Sequence, residues 1–159
     1  MAKLVFSITL ITIGNKPPTW LQGGYDYYLK LLKNKYLVNP IHLNAVSTKL
    51  DKRQRENKET AIIQEKIKTN NFIIALDENS KSLNSLEFSS FLIDKLDNHK
   101  NITFIIGPSD GLSNEILNNV DYRLSLSCLT YTHDLAKLVL LEQIFRAQCI
   151  AAGHPYHRV

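Results

Sequence analysis

The chain is short of the residues that build several common kinds of site. Two cysteines in 159 residues, Cys128 and Cys149, are too few for a disulfide scaffold and have no ligand-like spacing. A reduced, cytoplasmic setting is therefore expected. No His-Glu-x-x-His pair, Cys-x-x-Cys pair or carboxylate cluster marks a metal site, and no metal is expected. No Gly-x-Gly-x-x-Gly is present, and no Gly-Lys-Ser/Thr closes a phosphate loop; a serine-hydrolase site is not expected either. No apolar run reaches membrane-spanning length. The nearest, Leu4–Ile13, is broken by Ser7, Thr9 and Thr12 and runs into Lys16-Pro17-Pro18 instead of a small-residue cleavage site. It is read as a buried first strand and not as a signal segment.

What is present suits an ordinary folded protein. Hydrophobic residues make up 44% of the chain, enough at this length for one domain spanning 1–159. Nineteen Lys and Arg against 15 Asp and Glu give +4 (19 − 15), which permits a nucleic-acid partner without demanding one. Lys49, Lys52, Arg53, Arg55 and Lys58 concentrate part of that charge. Such a run is either a solvated helix face or a salt-sensitive phosphate track.

Apolar, β-rich runs alternate with helical patterns. Strands are expected at Leu4–Ile13, Leu37–Leu43, Phe72–Leu76, Ile102–Ile106 and Tyr122–Leu126; Pro40 places the second at an edge. A first helix opens after Pro17-Pro18, with Thr19 as its cap and a stripe of Trp20, Leu21, Tyr25, Tyr28, Leu29 and Leu32. Further helices are expected within Lys49–Lys68, over Ser85–Asn98 with Leu86, Leu92, Ile93 and Leu96, at Asn114–Asn118, and over Asp134–Ala152, where Gly153 stops it. This alternation argues an α/β domain with a mostly parallel sheet. In such sheets ligands gather beyond the carboxyl ends of the strands. That rule selects Leu76 onward, Gly107–Leu112 and Leu126–His133.

Each of these segments has a plain reading beside a functional one. Gly107-Pro-Ser-Asp-Gly111 either lets backbone approach a ligand or simply links a strand to a helix capped by Asp110 or Ser113. Leu126–Thr132 either offers amides and carbonyls to an adenine edge or is an ordinary buried loop. The helix from Asp134 is apolar on nearly all sides, so it is buried in the domain or in a dimer interface. Within it, Glu142 and Arg146 stand at i, i+4, as a local ion pair or as a pair that orders a site. The tail His154-Pro-Tyr-His-Arg158 is either frayed or equipped to hold a phosphate, stack on a base and move a proton.

Taken in order, the segments Ile-Gly-Asn-Lys16 with Trp20, Ala75-Leu-Asp77, Phe104-Ile-Ile-Gly107 with Asp-Gly-Leu112, Leu124–Ser127 with Thr-Tyr-Thr-His133, Leu141–Ala147 and the His-Pro-Tyr-His-Arg tail are specific as a set. Over essentially its whole length the chain resembles the ribosomal RNA large subunit methyltransferase H family, of the SPOUT class. The resemblance implies a C-terminal trefoil knot and a homodimer in which the tail of one subunit completes the site of the other. It implies S-adenosylmethionine as methyl donor and N3 of a pseudouridine in 23S rRNA, on the assembled ribosome, as acceptor. Matching motifs imply a cofactor site of Leu76, Gly107, Leu126, Ser127, Cys128, Leu129, Thr130 and Tyr131. They imply a substrate-facing set of Tyr156, His157 and Arg158, with His157 the preferred proton acceptor. Two positions depart from the pattern: Pro108 stands where the family often has a second Gly, and Thr132 where it often has Pro. Pro108 removes a backbone N–H. It motivates a rival reading, a knotted dimer that binds RNA or ribosomes without turnover. A plain doubly wound nucleotide-binding enzyme is a third.

Overall fold

Every described strand pairs in parallel with its neighbours, the pairing that alternating strands and helices demand. The computed structural model describes residues 6–158, so Leu4 and Val5 of the expected first strand lie outside the described residues. In chain order the elements are β1 (Phe6–Gly14), α1 (Thr19–Leu32), β2 (Tyr36–Asn44), α2 (Lys52–Gln64), β3 (Phe72–Leu76), α3 (Ser85–His99), β4 (Asn101–Ile106), α4 (Asn114–Asn118), β5 (Tyr122–Leu124) and α5 (His133–Ala151). The sheet runs β2-β1-β4-β3-β5. β2 is an edge, and Pro40 sits in it opposite Leu10 of β1. An edge position tolerates the missing amide.

Alternation along the strands supplies two apolar faces. On one, Ile8, Leu10, Ile74, Ile102, Phe104 and Ile106 pack against Leu21, Tyr25 and Leu32 of α1, Phe88, Leu92 and Leu96 of α3, and Leu140, Leu141, Ile144 and Ala147 of α5. On the other, Ile13 and Ile105 meet Ile63 of α2 and Ile116 of α4. Each fully buried Leu or Ile contributes about 1.5–3 kcal/mol, so the larger face carries most of the stability. Among the described residues, no helix is long and apolar enough to cross a membrane.

Several expectations need correction. Thr19 is the first residue of α1 and not its cap; Pro18 holds the cap position and offers no side-chain acceptor. Trp20 is 70% exposed and Leu86 is 45% exposed, so neither belongs to its helix's buried stripe. β5 ends at Leu124, and the chain beyond it makes only a single bridge, Ser125 to Ser82. On α5, Leu140, Leu141, Ile144 and Ala147 are buried within the chain, whereas Leu138, Val139 and Phe145 are partly exposed, which leaves both expected settings, domain core and dimer interface, open. Its end follows the expected chemistry. Gly153 takes a positive φ of 64°, its N–H donates to Ile150 O (3.1 Å), and His154 N–H donates to Cys149 O (2.9 Å). This paired closure turns the tail back along the helix.

Candidate functional site

The adjacency of β4, β3 and β5 brings Ile106–Gly107, Leu76 and Leu124 to one edge of the sheet. The loops that follow are stitched together there. Asp77 N–H donates to Leu124 O (3.0 Å), and Ser125 N–H donates to Lys81 O (3.1 Å). Asp77 in turn accepts from Ser80 Oγ (2.5 Å) and Asn79 N (3.3 Å), which holds the turn after β3. Thr130 Oγ1 donates to the Glu78 carboxylate (2.8 Å), tying the 126–132 loop back over the end of β3. Within that loop, Ser125 Oγ donates to Ser127 O (2.9 Å) and Leu129 N–H to Ser127 Oγ (2.9 Å). The amides of Leu126, Cys128 and Thr130 donate to no acceptor among the described residues. Free amides at a strand end, flanked by half-buried Leu76 and Leu126, are the donor set an adenine edge or a carboxylate requires.

The loop after β4 is folded on itself. Gly111 N–H donates to Pro108 O (2.9 Å), with Gly111 at φ 85°. Ser113 caps α4 by accepting from Ile116 N (3.2 Å), and its hydroxyl also accepts from Thr60 (2.7 Å). Asp110 is not the cap; it pairs with Arg55 (3.1 Å), which takes one cation out of the basic run on α2. Gly107 is constrained from within the chain. A Cβ there would lie 2.8 Å from Leu112 Cγ and 3.1 Å from Leu112 N, so the loop itself occupies that space. Contrary to the expectation that the chain carries no such motif, Gly107–Gly111 spells Gly-x-Ser-x-Gly, the letters of a hydrolase nucleophile elbow. The context is wrong for one: α4 starts five residues after Ser109, and Ser109 is exposed with no histidine bonded to it among the described residues.

The start of α5 packs against the end of β1. Thr132 caps the helix (Leu135 N to Oγ1, 3.4 Å), so the position where the family often has Pro retains a capping function. His133 lies against Gly14: a Cβ on residue 14 would sit 2.5 Å from its Nε2. Nearby, Thr12 Oγ1 and His42 Nδ1 are 3.2 Å apart, Tyr25 Oη donates to Asp134 O (2.8 Å), and Lys137 Nζ stands 4.4 Å over the Tyr25 ring. Burial, with Lys137 adding, pushes the His42 imidazole down. The sequence does not show this cluster, because Gly14 and His133 meet only through the fold.

The tail is ordered, not frayed. Tyr156 Oη donates to Glu142 Oε1 (3.0 Å) and lies 3.4 Å from Tyr28 Oη. Its ring meets Phe145 edge-on (4.9 Å) and is faced by the Arg146 guanidinium (4.8 Å). Glu142 Oε1 also accepts from Arg146 Nε (3.0 Å) and Nη2 (2.5 Å), and Arg146 Nη1 lies 3.3 Å from His157 Nδ1. Burial and the bonds to Tyr28 and Glu142 raise the Tyr156 phenol, which keeps it protonated. The hydrogen bond to Glu142 raises Arg146 further. Arg158 is exposed. No hydrogen bond or ring contact among the described residues joins this tail to the strand-end loops of the same chain. A cavity lined by Ser7, Thr9, Lys68, Asn70, Asn71 and Asn101 opens at the opposite edge, where β1 and β4 begin, and adjoins none of the expected residues.

A small all-parallel domain whose free amides and glycine loop follow β3, β4 and β5 is the frame of a SPOUT-class methyltransferase, and residues 6–157 match the family described as "Predicted SPOUT methyltransferase". The chain belongs, more narrowly, to the ribosomal RNA large subunit methyltransferase H family. The protein of that name from Prochlorococcus marinus (strain NATL2A) is 36% identical over 149 residues, covering 94% of each chain. That from Legionella pneumophila (strain Paris) is 37% identical over 156 residues, covering 97% of this chain and 100% of the relative. The fold is also that of a probable methylase family protein from Haemophilus influenzae Rd KW20, with TM-score 0.51, 15% identity, and coverage of 96% of this chain and 69% of that one.

Proposed function

We infer that this protein transfers a methyl group from S-adenosylmethionine to N3 of a pseudouridine in 23S rRNA, acting on the assembled ribosome as a knotted homodimer. The observation that carries the reading is the meeting of Leu76, Gly107 and the 126–131 loop at one sheet edge, with unpaired amides at Leu126, Cys128 and Thr130. Relatives named for rRNA methylation, matched nearly end to end, support the substrate class. Leu76, Gly107, Leu126, Ser127, Cys128, Leu129, Thr130 and Tyr131 would hold the cofactor. Bound there, S-adenosylmethionine supplies a methyl group already activated by its sulfonium, so N3–C bond formation accompanies C–S cleavage and the electron pair returns to sulfur.

The chain's own work is then alignment and help with the imide proton. Arg158, exposed at the end of an ordered tail, suits an RNA phosphate. Tyr156 is committed to Glu142, Phe145 and Arg146, so its part is to fix the tail. His157 is the tail group left to meet the base. Because the tail contacts α5 and α1 of its own chain and not its own strand-end loops, a second subunit would bring tail and cofactor loop together. The half-exposed Leu138, Val139 and Phe145 and the exposed Trp20 and Tyr27 offer apolar surface for that partner.

Calorimetric titration with S-adenosylmethionine and with NAD, followed by labelled-methyl transfer to ribosomes, tests the reading. Binding of S-adenosylmethionine alone, with transfer to ribosomal RNA, is expected. Binding without transfer would return the inactive RNA-binding dimer, and binding of NAD the plain nucleotide enzyme.

A further inference from the structure

The Glu142–Arg146 pair does more than stabilise one turn of α5. Glu142 Oε1 accepts from two nitrogens of Arg146, and Glu142 Oε2 accepts from Gln143 Nε2 (2.6 Å), whose Oε1 accepts from Ser85 Oγ (2.9 Å). The guanidinium is thus held in its plane from one side, and the Tyr156 ring covers a face of it. The nitrogen left over, Nη1, lies 3.3 Å from His157 Nδ1. An arginine has donors and no acceptor. A hydrogen bond across this contact uses the lone pair of His157 Nδ1. A neutral imidazole carries one proton, so here that proton sits on Nε2. The edge of the ring pointing away from Arg146 then presents an N–H, not a lone pair.

We propose that Arg146 is a positioning residue that locks His157 in the Nε2–H form, and that His157 serves the reaction as a hydrogen-bond donor to an imide carbonyl oxygen of the substrate base, not as the acceptor of the N3 proton. The proposal rests on the methyl-transfer reading above and replaces the role that the sequence suggests for His157. Loss of the N3 proton to water leaves negative charge shared between N3 and its flanking carbonyl oxygens. A donor aimed at one of those oxygens stabilises that charge as N3 attacks the methyl carbon and the C–S electron pair passes to sulfur. The neighbouring Tyr156 phenol already donates a hydrogen bond to Glu142, so the anchored part of the tail is a set of donors.

Two measurements test it. Nitrogen-15 NMR of imidazole-labelled whole protein, with His157→Gln used to assign the signal, reads the tautomer without substrate. The expected spectrum has a pyrrole-like Nε2 and a pyridine-like Nδ1 at His157, shifting toward a mixture in Arg146→Met. Nδ1–H in the wild type would overturn the proposal. Single-turnover methylation of ribosomes is the second measurement. His157→Gln keeps an N–H near the place of ring Nε2 and cannot take a proton. Removal of the donor in His157→Ala should slow transfer about 10²-fold, with His157→Gln recovering to within about tenfold of the wild type. Equal slowing of both variants would overturn the donor role alone, whereas no transfer by the wild type would overturn the methyl-transfer reading itself.

Discussion

Replacing Gly14 with alanine tests whether the end of β1 sets the 126–132 loop, proposed above to hold the cofactor, through α5. Gly14 is not in the left-handed region, so the backbone accepts alanine and the effect is steric. The new Cβ would lie 2.5 Å from His133 Nε2, 2.9 Å from Cδ2 and 3.0 Å from Cε1. The His133 side chain is only 19% exposed, so relief requires the ring to leave its packing or the first turn of α5 to shift. Overpacking of this kind costs about 1–3 kcal/mol. At this chain length each kcal/mol moves Tm by about 2–4 °C, which gives a fall of about 2–12 °C. Since His133 directly follows the 126–132 loop, the shift should also weaken S-adenosylmethionine binding, about tenfold if 1.4 kcal/mol of strain reaches the loop. Thermal unfolding and calorimetric titration of Gly14→Ala, His133→Ala and the double variant measure both effects. Contact predicts that the double variant is less damaged than the sum of the singles. Unchanged Tm and affinity in Gly14→Ala, or strict additivity in the double variant, would refute the reasoning.

Three further outcomes are expected. Tyr36 Oη is buried with no hydrogen-bond partner among the described residues, and burial, with Asp97 adding, pushes its phenol up to about 12. Because this folded value lies above the unfolded value of about 10, its contribution is intact below pH 10 and is lost as pH rises through 10 to 12. Tyr36→Phe should match or exceed wild-type stability at pH 7 by up to about 1 kcal/mol and lose less between pH 9 and about 11 in denaturant melts; a large loss at pH 7 would contradict this. Cys128 is exposed in the 126–132 loop, whereas Cys149 is buried and its thiol is pushed up by burial. Maleimide should label Cys128 alone in the native protein, more slowly with S-adenosylmethionine present, and rapid labelling of Cys149 would count against the packing of α5. Mixing a tail-defective subunit with a cofactor-defective one should restore part of the activity through one intact site per mixed dimer; full activity of a monomer would exclude the shared site.

Much of the frame was legible because local signals and burial agreed. Phe72–Leu76 and Asn114–Asn118 have the expected bounds, and Pro40 marked an edge strand through its missing amide. The three strand ends came from one rule about parallel sheets. What escaped depended on contacts between distant residues. Trp20 and Leu86 fit helical spacing, but among the described residues too little packs over them to bury them. The glycine at 107 was legible as a special position, but its contact with Leu112 was not, because that contact depends on how the 107–112 loop folds back. The Glu142–Arg146 spacing was visible, but its bonds to Tyr156 and His157 form only because the chain turns back at Gly153, and Tyr28, 128 residues away from Tyr156 in sequence, adds a further contact. A frayed end and an anchored one have the same composition; only the turn at Gly153 hinted at which it is.

The central claim is the transfer of a methyl group to N3 of a pseudouridine in 23S rRNA, and nucleoside mass spectrometry of that RNA tests it most directly. Ribosomal RNA is compared from cells that lack the protein, cells that regain it, and cells that regain His157→Ala. The account predicts N3-methylpseudouridine to be absent in the first, restored in the second and strongly reduced in the third. An unchanged nucleoside profile on restoring the wild-type protein, or a new methyl group on a different atom, would contradict it.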